Sequence, residues 1–203
     1  EKTHKIEAKE KKEILLNILK AIKYLHQHSI SHGDIKADNI LLDHNFVPKL
    51  CDFGFSRTKL ICGEDSKFGT LYYLAPELIL PGEFNALKSD IWAIGIMLYT
   101  LTGFHYPYKK GTESEIVDQI LKGNLTLNKK IDSNLLSIIT QCTKIDPLQR
   151  PDIEQIISNE YFADVQIDKV LDRNQKKNNF KHESKKQAQK NNKTQRKCHS
   201  HRK

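Results

Sequence analysis

From Ile14 onward the apolar positions recur at helical spacing: Ile14, Ile18, Ile22 and Leu25 fall on one line, with Leu15 and Leu19 beside it. Positions three and four apart share one face of a helix, so the pattern predicts a helix that fades near His28. The charged stretch 1–13 before it reads as a linker or a fraying helix start, with 1–9 as a polar lead-in. A polar loop covers 31–39. Residues 40–42 and 47–50 then read as two short strands joined through Asp43, His44 and Asn45.

Residues 55–74 are rich in Gly, Ser, Thr and Lys and carry no clear periodicity. Loops of such length are functional or disordered. Ser89 or Asp90 is positioned to cap a helix reaching about Thr102, apolar on all sides and therefore expected at the centre of the fold. Thr112 and Glu115 fit a capping box opening a second helix. Residues 135–142 predict a third, and Pro151 fits the first position of a fourth. The expected fold class is mainly α with one small β-hairpin.

Charge divides the chain. Of the net +8, residues 164–203 carry 13 Lys/Arg against 4 Asp/Glu, which leaves −1 for residues 1–163. The stretch 164–203 thus reads as a basic, disordered tail and 10–163 as the folded body. Such a tail is either simply solvated or in weak, salt-sensitive contact with polyanions. The four cysteines, Cys51, Cys62, Cys142 and Cys198, lack any paired spacing. That points to a reducing compartment and to neither a disulfide framework nor a zinc ribbon. The polar start is no signal peptide, and the longest apolar run, 91–101, is about half the ~20 residues of a membrane helix. The expectation is an intracellular chain with no membrane span, cytoplasmic, with a nuclear location as the alternative.

The chemistry concentrates in His32-Gly33-Asp34-Ile35-Lys36-Ala37-Asp38-Asn39 and, thirteen residues after Asn39, in Asp52-Phe53-Gly54. Asp34 offers a carboxylate able to take a proton from a hydroxyl. Lys36, two residues on, can place a positive charge beside it in an extended loop. Asn39 and Asp52 supply hard oxygen ligands suited to Mg²⁺ bound to phosphates. Gly54 is expected to let the backbone turn sharply after Asp52. A base, a cation and two metal ligands are the parts that phosphoryl transfer needs.

These motifs resemble those of the C-terminal lobe of a eukaryotic protein kinase. Residues 32–39 resemble the catalytic loop, 52–54 the metal-binding motif, and Ala75-Pro76-Glu77 the end of the activation segment. Asp90-x-Trp92-x-x-Gly95 resembles the start of the central helix, and Asp146-Pro147-x-x-Arg150-Pro151 the late arginine motif. The resemblance covers roughly residues 10–162, with five motifs in family order.

It implies an ATP- and Mg²⁺-dependent transfer to protein hydroxyls. Asp34 would orient the hydroxyl and accept its proton, and Lys36 would neutralise the moving phosphate. Asn39 and Asp52 would hold the metal, and Leu41 would lie under adenine. Thr70 would bridge Asp34 and Lys36. Asp38 would lie at the same ligand-binding face, as a contact for a basic substrate residue. Lys36 with Thr70 is similar to the serine/threonine branch. Glu77 and Arg150 would form a buried structural ion pair, and His32 would pack on Phe53. The other histidines, His26 among them, read as solvated or packed rather than functional.

Two departures matter. The family's common arginine before the catalytic aspartate is Gly33 here, so a phosphate on Ser66 loses one receiver, although Arg57 remains. No GxGxxG occurs, and the N-terminal lobe of the family is not matched. The isolated chain is therefore expected to be inactive or nearly so, because positioning supplies most of this catalysis. Its open cleft calls for an N-lobe or a partner to cover it. The alternatives are a pseudokinase or truncated lobe acting as a protein-binding scaffold, and a polyanion binder.

Overall fold

A computed structural model describes residues 7–58, 61–63 and 69–165. Compactness divides the chain into two units, 1–162 and 163–203. Ser66 and most of the basic stretch lie outside the described residues, so the expectations placed on them stand without a structural counterpart.

Helix α1 (Ala8–Gln27) opens six residues before the expected start. The early start has a local cause: the Glu10 carboxylate accepts from the Glu7 amide at 2.9 Å, closing a capping box. Its buried line is Leu15, Leu16, Ile18, Leu19 and Ile22, so the face centres one residue beyond Ile14. Strands β1 (Ile40–Leu42) and β2 (Pro48–Leu50) pair antiparallel, with Leu41 opposite Lys49. Their turn is held by Asp43 Oδ1, which accepts from the amides of Asn45 and Val47.

The 55–74 segment is not structureless. It contributes strand β3 (Ile61–Cys62), which pairs with β4 (Phe84–Asn85), and a turn at Leu71–Tyr73. A second two-stranded sheet therefore joins the one expected hairpin. Each of its strands has two residues, too short to show alternation in sequence. A short helix, α2 (Pro76–Ile79), lies between them with Pro76 in its first turn.

Helix α3 (Ala86–Thr100) is the core element, with Ile91, Trp92, Ile94, Ile96, Met97 and Leu98 at most 1% exposed. Its cap is Asn85 rather than Ser89 or Asp90: Asn85 Oδ1 accepts from Leu87 and Lys88 amides at 3.0 and 3.2 Å. That shift places Ser89 and Asp90 inside the helix and buries both.

Helices α4 (Glu113–Lys122) and α5 (Ser133–Cys142) follow. The Thr112–Glu115 capping box of α4 forms as expected. Helix α6 (Ile153–Ile157) is capped by Asp152, whose amide is bonded by Gln155 at 2.8 Å, so Pro151 precedes the cap instead of opening the helix. Helix α3 meets α5 where Gly95 lies. A Cβ there would come 2.8 Å from both Cys142 Cβ and Thr143 Cγ2.

Among the described residues no helix is long and apolar enough to cross a membrane.

Candidate active site

The loop between α1 and β1 is fixed from behind before it presents anything in front. Asp90, buried in α3, accepts from the His32 amide through Oδ2 at 2.8 Å and from the Gly33 amide through Oδ1 at 3.0 Å. Gly33 adopts φ +83°, and a Cβ there would fall inside contact distance of the Phe55 carbonyl oxygen. Only glycine fits that backbone without strain.

His32 is fully buried. Its Nδ1 accepts from the Asp34 amide at 3.3 Å, so its Nε2 carries the proton and donates to the Cys51 carbonyl at 3.1 Å. Its ring lies 5.0 Å from that of Phe53, the packing expected of it. One imidazole thus ties the Asp34 segment to the strand end that carries Asp52.

In front, Asp34 is the centre of a closed set of donors. Thr70 gives its amide (3.2 Å) and hydroxyl (2.9 Å) to Oδ1. Lys36 Nζ (2.7 Å) and Asn39 Nδ2 (3.1 Å) go to Oδ2. Lys36 Nζ also donates to Thr70 Oγ1 at 2.8 Å, completing a three-residue ring. Four donors match the roughly four lone-pair directions of a carboxylate. A substrate hydroxyl can reach Asp34 only by displacing one of them. Burial opposes ionisation of Asp34. The Lys36 and Thr70 hydrogen bonds, the Lys36 charge and the Asn39 amide outweigh it and hold the carboxyl below its ordinary 3.8.

Thr70 reaches this position because its own segment is braced. The turn at Leu71–Tyr73 stacks Tyr72 on Tyr106 at 4.4 Å, and Tyr108 donates its hydroxyl to the Tyr72 carbonyl at 3.1 Å.

Asn39 commits its amide nitrogen to the Asp34 carbonyl (2.8 Å) and carboxylate, which leaves its side-chain carbonyl oxygen as the atom that could meet a cation. The Cys51 amide donates to the Asn39 backbone carbonyl at 3.0 Å, bringing the start of β1 beside the Asp52 segment. Asp52 is exposed and takes φ +63°, with Oδ1 3.3 Å from the Gly54 amide. The positive φ falls on Asp52, and the turn expected at Gly54 follows it, with the Ser56 amide donating to the Phe53 carbonyl at 3.0 Å across Gly54 and Phe55.

Among the described residues no three His, Cys, Asp or Glu side chains cluster as a self-sufficient metal site. Two hard oxygens, an amide carbonyl and a carboxylate, fit a Mg²⁺ whose remaining ligands are phosphate and water. Leu41, Phe53 and Asp38 are all exposed, the first two at 58% and 49%. Leu42, Phe46 and Val47 of the β1–β2 hairpin are exposed as well.

Glu77 and Arg150 meet as expected, through two hydrogen bonds of 2.6 and 2.8 Å. The part that sequence reasoning missed is the backing of the loop. In sequence Asp90 reads only as a helix cap or motif residue, and His26 only as a solvated or packed side chain. His26 Nε2 in fact donates to Asp90 Oδ2 at 3.0 Å. The two are 64 positions apart, so no local spacing announces the contact.

Residues 1–162 match the protein kinase domain family. The chain is 34% identical over 154 residues to sperm motility kinase W of Mus musculus, covering 72% of this chain and 30% of that protein. It is 32% identical over 156 residues to the protein kinase domain-containing protein ppk9 of Schizosaccharomyces pombe, covering 74% and 29%. It is also 32% identical over 153 residues to the serine/threonine-protein kinase MARK-A of Dictyostelium discoideum, covering 72% and 14%. The chain thus spans less than a third of the length of these relatives.

Proposed function

Because this chain belongs to the protein kinase family, we propose that it is the C-terminal lobe of a serine/threonine kinase catalytic domain, moving the γ-phosphoryl group of ATP to protein hydroxyls. The observation that carries this reading is the ring of Asp34, Lys36 and Thr70, with Asn39 bonded to the same carboxylate.

The substrate hydroxyl enters by taking a lone pair of Asp34 that Lys36 vacates. Lys36 is the displaceable member, since its side chain is 20% exposed, whereas Asn39 is buried and Thr70 holds Oδ1 through two bonds. Freed, its ammonium turns to the phosphate being transferred. Thr70 keeps Asp34 oriented by retaining both bonds to Oδ1. As the hydroxyl oxygen bonds to phosphorus and the bond to ADP breaks, the proton passes to Asp34. A carboxylate held below its ordinary pKa is a weak base. It suits a loose transition state, in which the proton leaves late and orientation matters more than proton affinity.

Asn39 and Asp52 would hold Mg²⁺, which when bound neutralises phosphate charge. Leu41 would lie under the adenine. Asp38 would meet a basic residue of the peptide. The exposed side chains of Leu41 and Phe53 would be covered by an N-lobe, and the isolated 203 residues would transfer little phosphate.

Mg²⁺-ATP-dependent phosphorylation of Ser/Thr peptides by the longest protein carrying this chain, lost in Asp34→Asn, is the test.

A second reading, a scaffold that binds a partner through the open surface, is favoured by the exposure of Leu41 and Phe53. Binding of a partner with no nucleotide binding would select it.

A further inference from the structure

We infer that the Ser31 hydroxyl and the cavity behind the 31–39 loop form a binding site for one buried water molecule. Ser31 is 1% exposed, and none of the described residues bonds its Oγ. Its backbone leaves the side chain little freedom to find a protein partner. The Ser31 amide donates to the Arg57 carbonyl at 2.9 Å, and the Ser31 carbonyl accepts from the Arg57 amide at 3.1 Å. With both main-chain groups committed, the hydroxyl moves only by rotation about its own Cα–Cβ bond. A buried hydroxyl without a hydrogen bond is costly, so a water that supplies one stabilises the fold.

Ser31 lines a cavity of about 30 Å³ between the loop, the 69–74 segment and α3. Holding a water takes about 10–15 Å³, so the cavity admits one at Ser31 and is too small for a phosphate group or an aromatic ring. Apolar walls alone would keep such a space dry. Leu74, Phe84 and Ala93 supply apolar wall, but Thr70 and Asp90 stand in it with Ser31. Asp90 is the fitting second partner. Its carboxylate accepts three donors, the His32 and Gly33 amides and His26 Nε2, out of roughly four lone-pair directions. The His32 amide follows Ser31 directly along the chain, which brings the Ser31 side chain close to that carboxylate. A water between them accepts the Ser31 hydroxyl proton and donates to the remaining lone pair of Asp90. Packing alone does not describe Ser31, because alanine or valine would line the same cavity with no hydroxyl to satisfy.

A crystal structure of the 203-residue chain, at a resolution that shows ordered water, should carry density within hydrogen-bonding distance of both Ser31 Oγ and an Asp90 carboxylate oxygen. In solution, the field dependence of water relaxation should count one long-lived water fewer in Ser31→Ala than in the parent. The stability of Ser31→Ala supplies an independent sign. If the hydroxyl is satisfied through water, its removal loses hydrogen bonds, and the folding equilibrium constant should fall about fivefold. If the hydroxyl is buried with no partner, alanine removes a penalty and the constant rises instead.

A parent structure with no density beside Ser31 Oγ would overturn the inference, and so would a Ser31→Ala chain more stable than the parent. Water bonded to Asp90 alone, with the Ser31 hydroxyl turned to a protein acceptor, overturns it as well. Should Ser31→Ala fail to fold, the density in the parent decides in either direction. None of these readouts requires phosphoryl transfer, so the water site stands or falls apart from the reading of Asp34.

Discussion

Arg150 grips Glu77 through two near-parallel hydrogen bonds, Nη1 to Oε1 at 2.6 Å and Nη2 to Oε2 at 2.8 Å. The guanidinium is fully buried and also donates to the carbonyls of Lys88, Lys144 and Ile145. Ser89 adds its hydroxyl to Glu77 Oε1 at 2.8 Å. Three segments far apart in sequence, the start of α2, the first turns of α3 and the loop after α5, are joined at this point. Glu77→Ala would leave the guanidinium buried without a counter-charge, and we expect a loss of about 3–5 kcal/mol in urea denaturation. A loss below about 1 kcal/mol would class the pair with exposed ion pairs, which contribute little.

Asp34 gives stability a definite pH dependence. Its folded-state pKa lies below 3.8, so the ionised form stabilises the fold above 3.8 and that contribution fades as pH falls through the folded value. Asp34→Asn cannot titrate. The stability difference between parent and Asp34→Asn should therefore shrink as pH is lowered from about 5 to below 3.8, a window set by that shift. A difference that stays constant across that window would mean the donors around Asp34 do not favour its ionised form.

Gly33 should resist replacement. Gly33→Ala meets both an unfavourable φ of +83° and the Phe55 carbonyl, and should cost about 1–3 kcal/mol or more in thermal or urea unfolding. Gly33→Arg should cost at least as much, so restoring the family's common arginine should not by itself restore a phosphate receiver. A neutral Gly33→Ala would show that the loop has another backbone solution.

Gly95 sets two effects of opposite sign against each other. Alanine gains about 1 kcal/mol of helix propensity in the middle of α3. Its Cβ would lie 2.8 Å from two atoms of the α5 end, and overpacking costs about 1–3 kcal/mol. We expect Gly95→Ala to be destabilising on balance; a stabilised variant would mean that α3 and α5 separate cheaply.

Local rules were legible and distant ones were not. The capping box of Thr112 and Glu115, the β1–β2 hairpin and the buried character of α3 depend on residues within a few positions, and all three appear in the structure. The catalytic-loop residues stood out because Asp34, Lys36 and Asn39 lie within six positions of one another. The α3 cap was misplaced because Asn85, Ser89 and Asp90 are all good caps by type. Only the three-dimensional packing decides that Asp90 belongs inside, bonded to the loop. The β3–β4 pair and the His26–Asp90 bond join residues 24 and 64 positions apart. Contacts of that range leave no periodic trace in one sequence.

The most direct measurement is Mg²⁺-dependent transfer of the γ-phosphoryl group of labelled ATP to a Ser/Thr peptide mixture, by the longest protein that carries this chain, with Asp34 intact and as Asp34→Asn. If Asp34 orients the hydroxyl and takes its proton, the substitution should lower kcat by about 10²–10⁴ while the protein stays folded. Transfer at the parental rate by a folded Asp34→Asn protein would contradict that role.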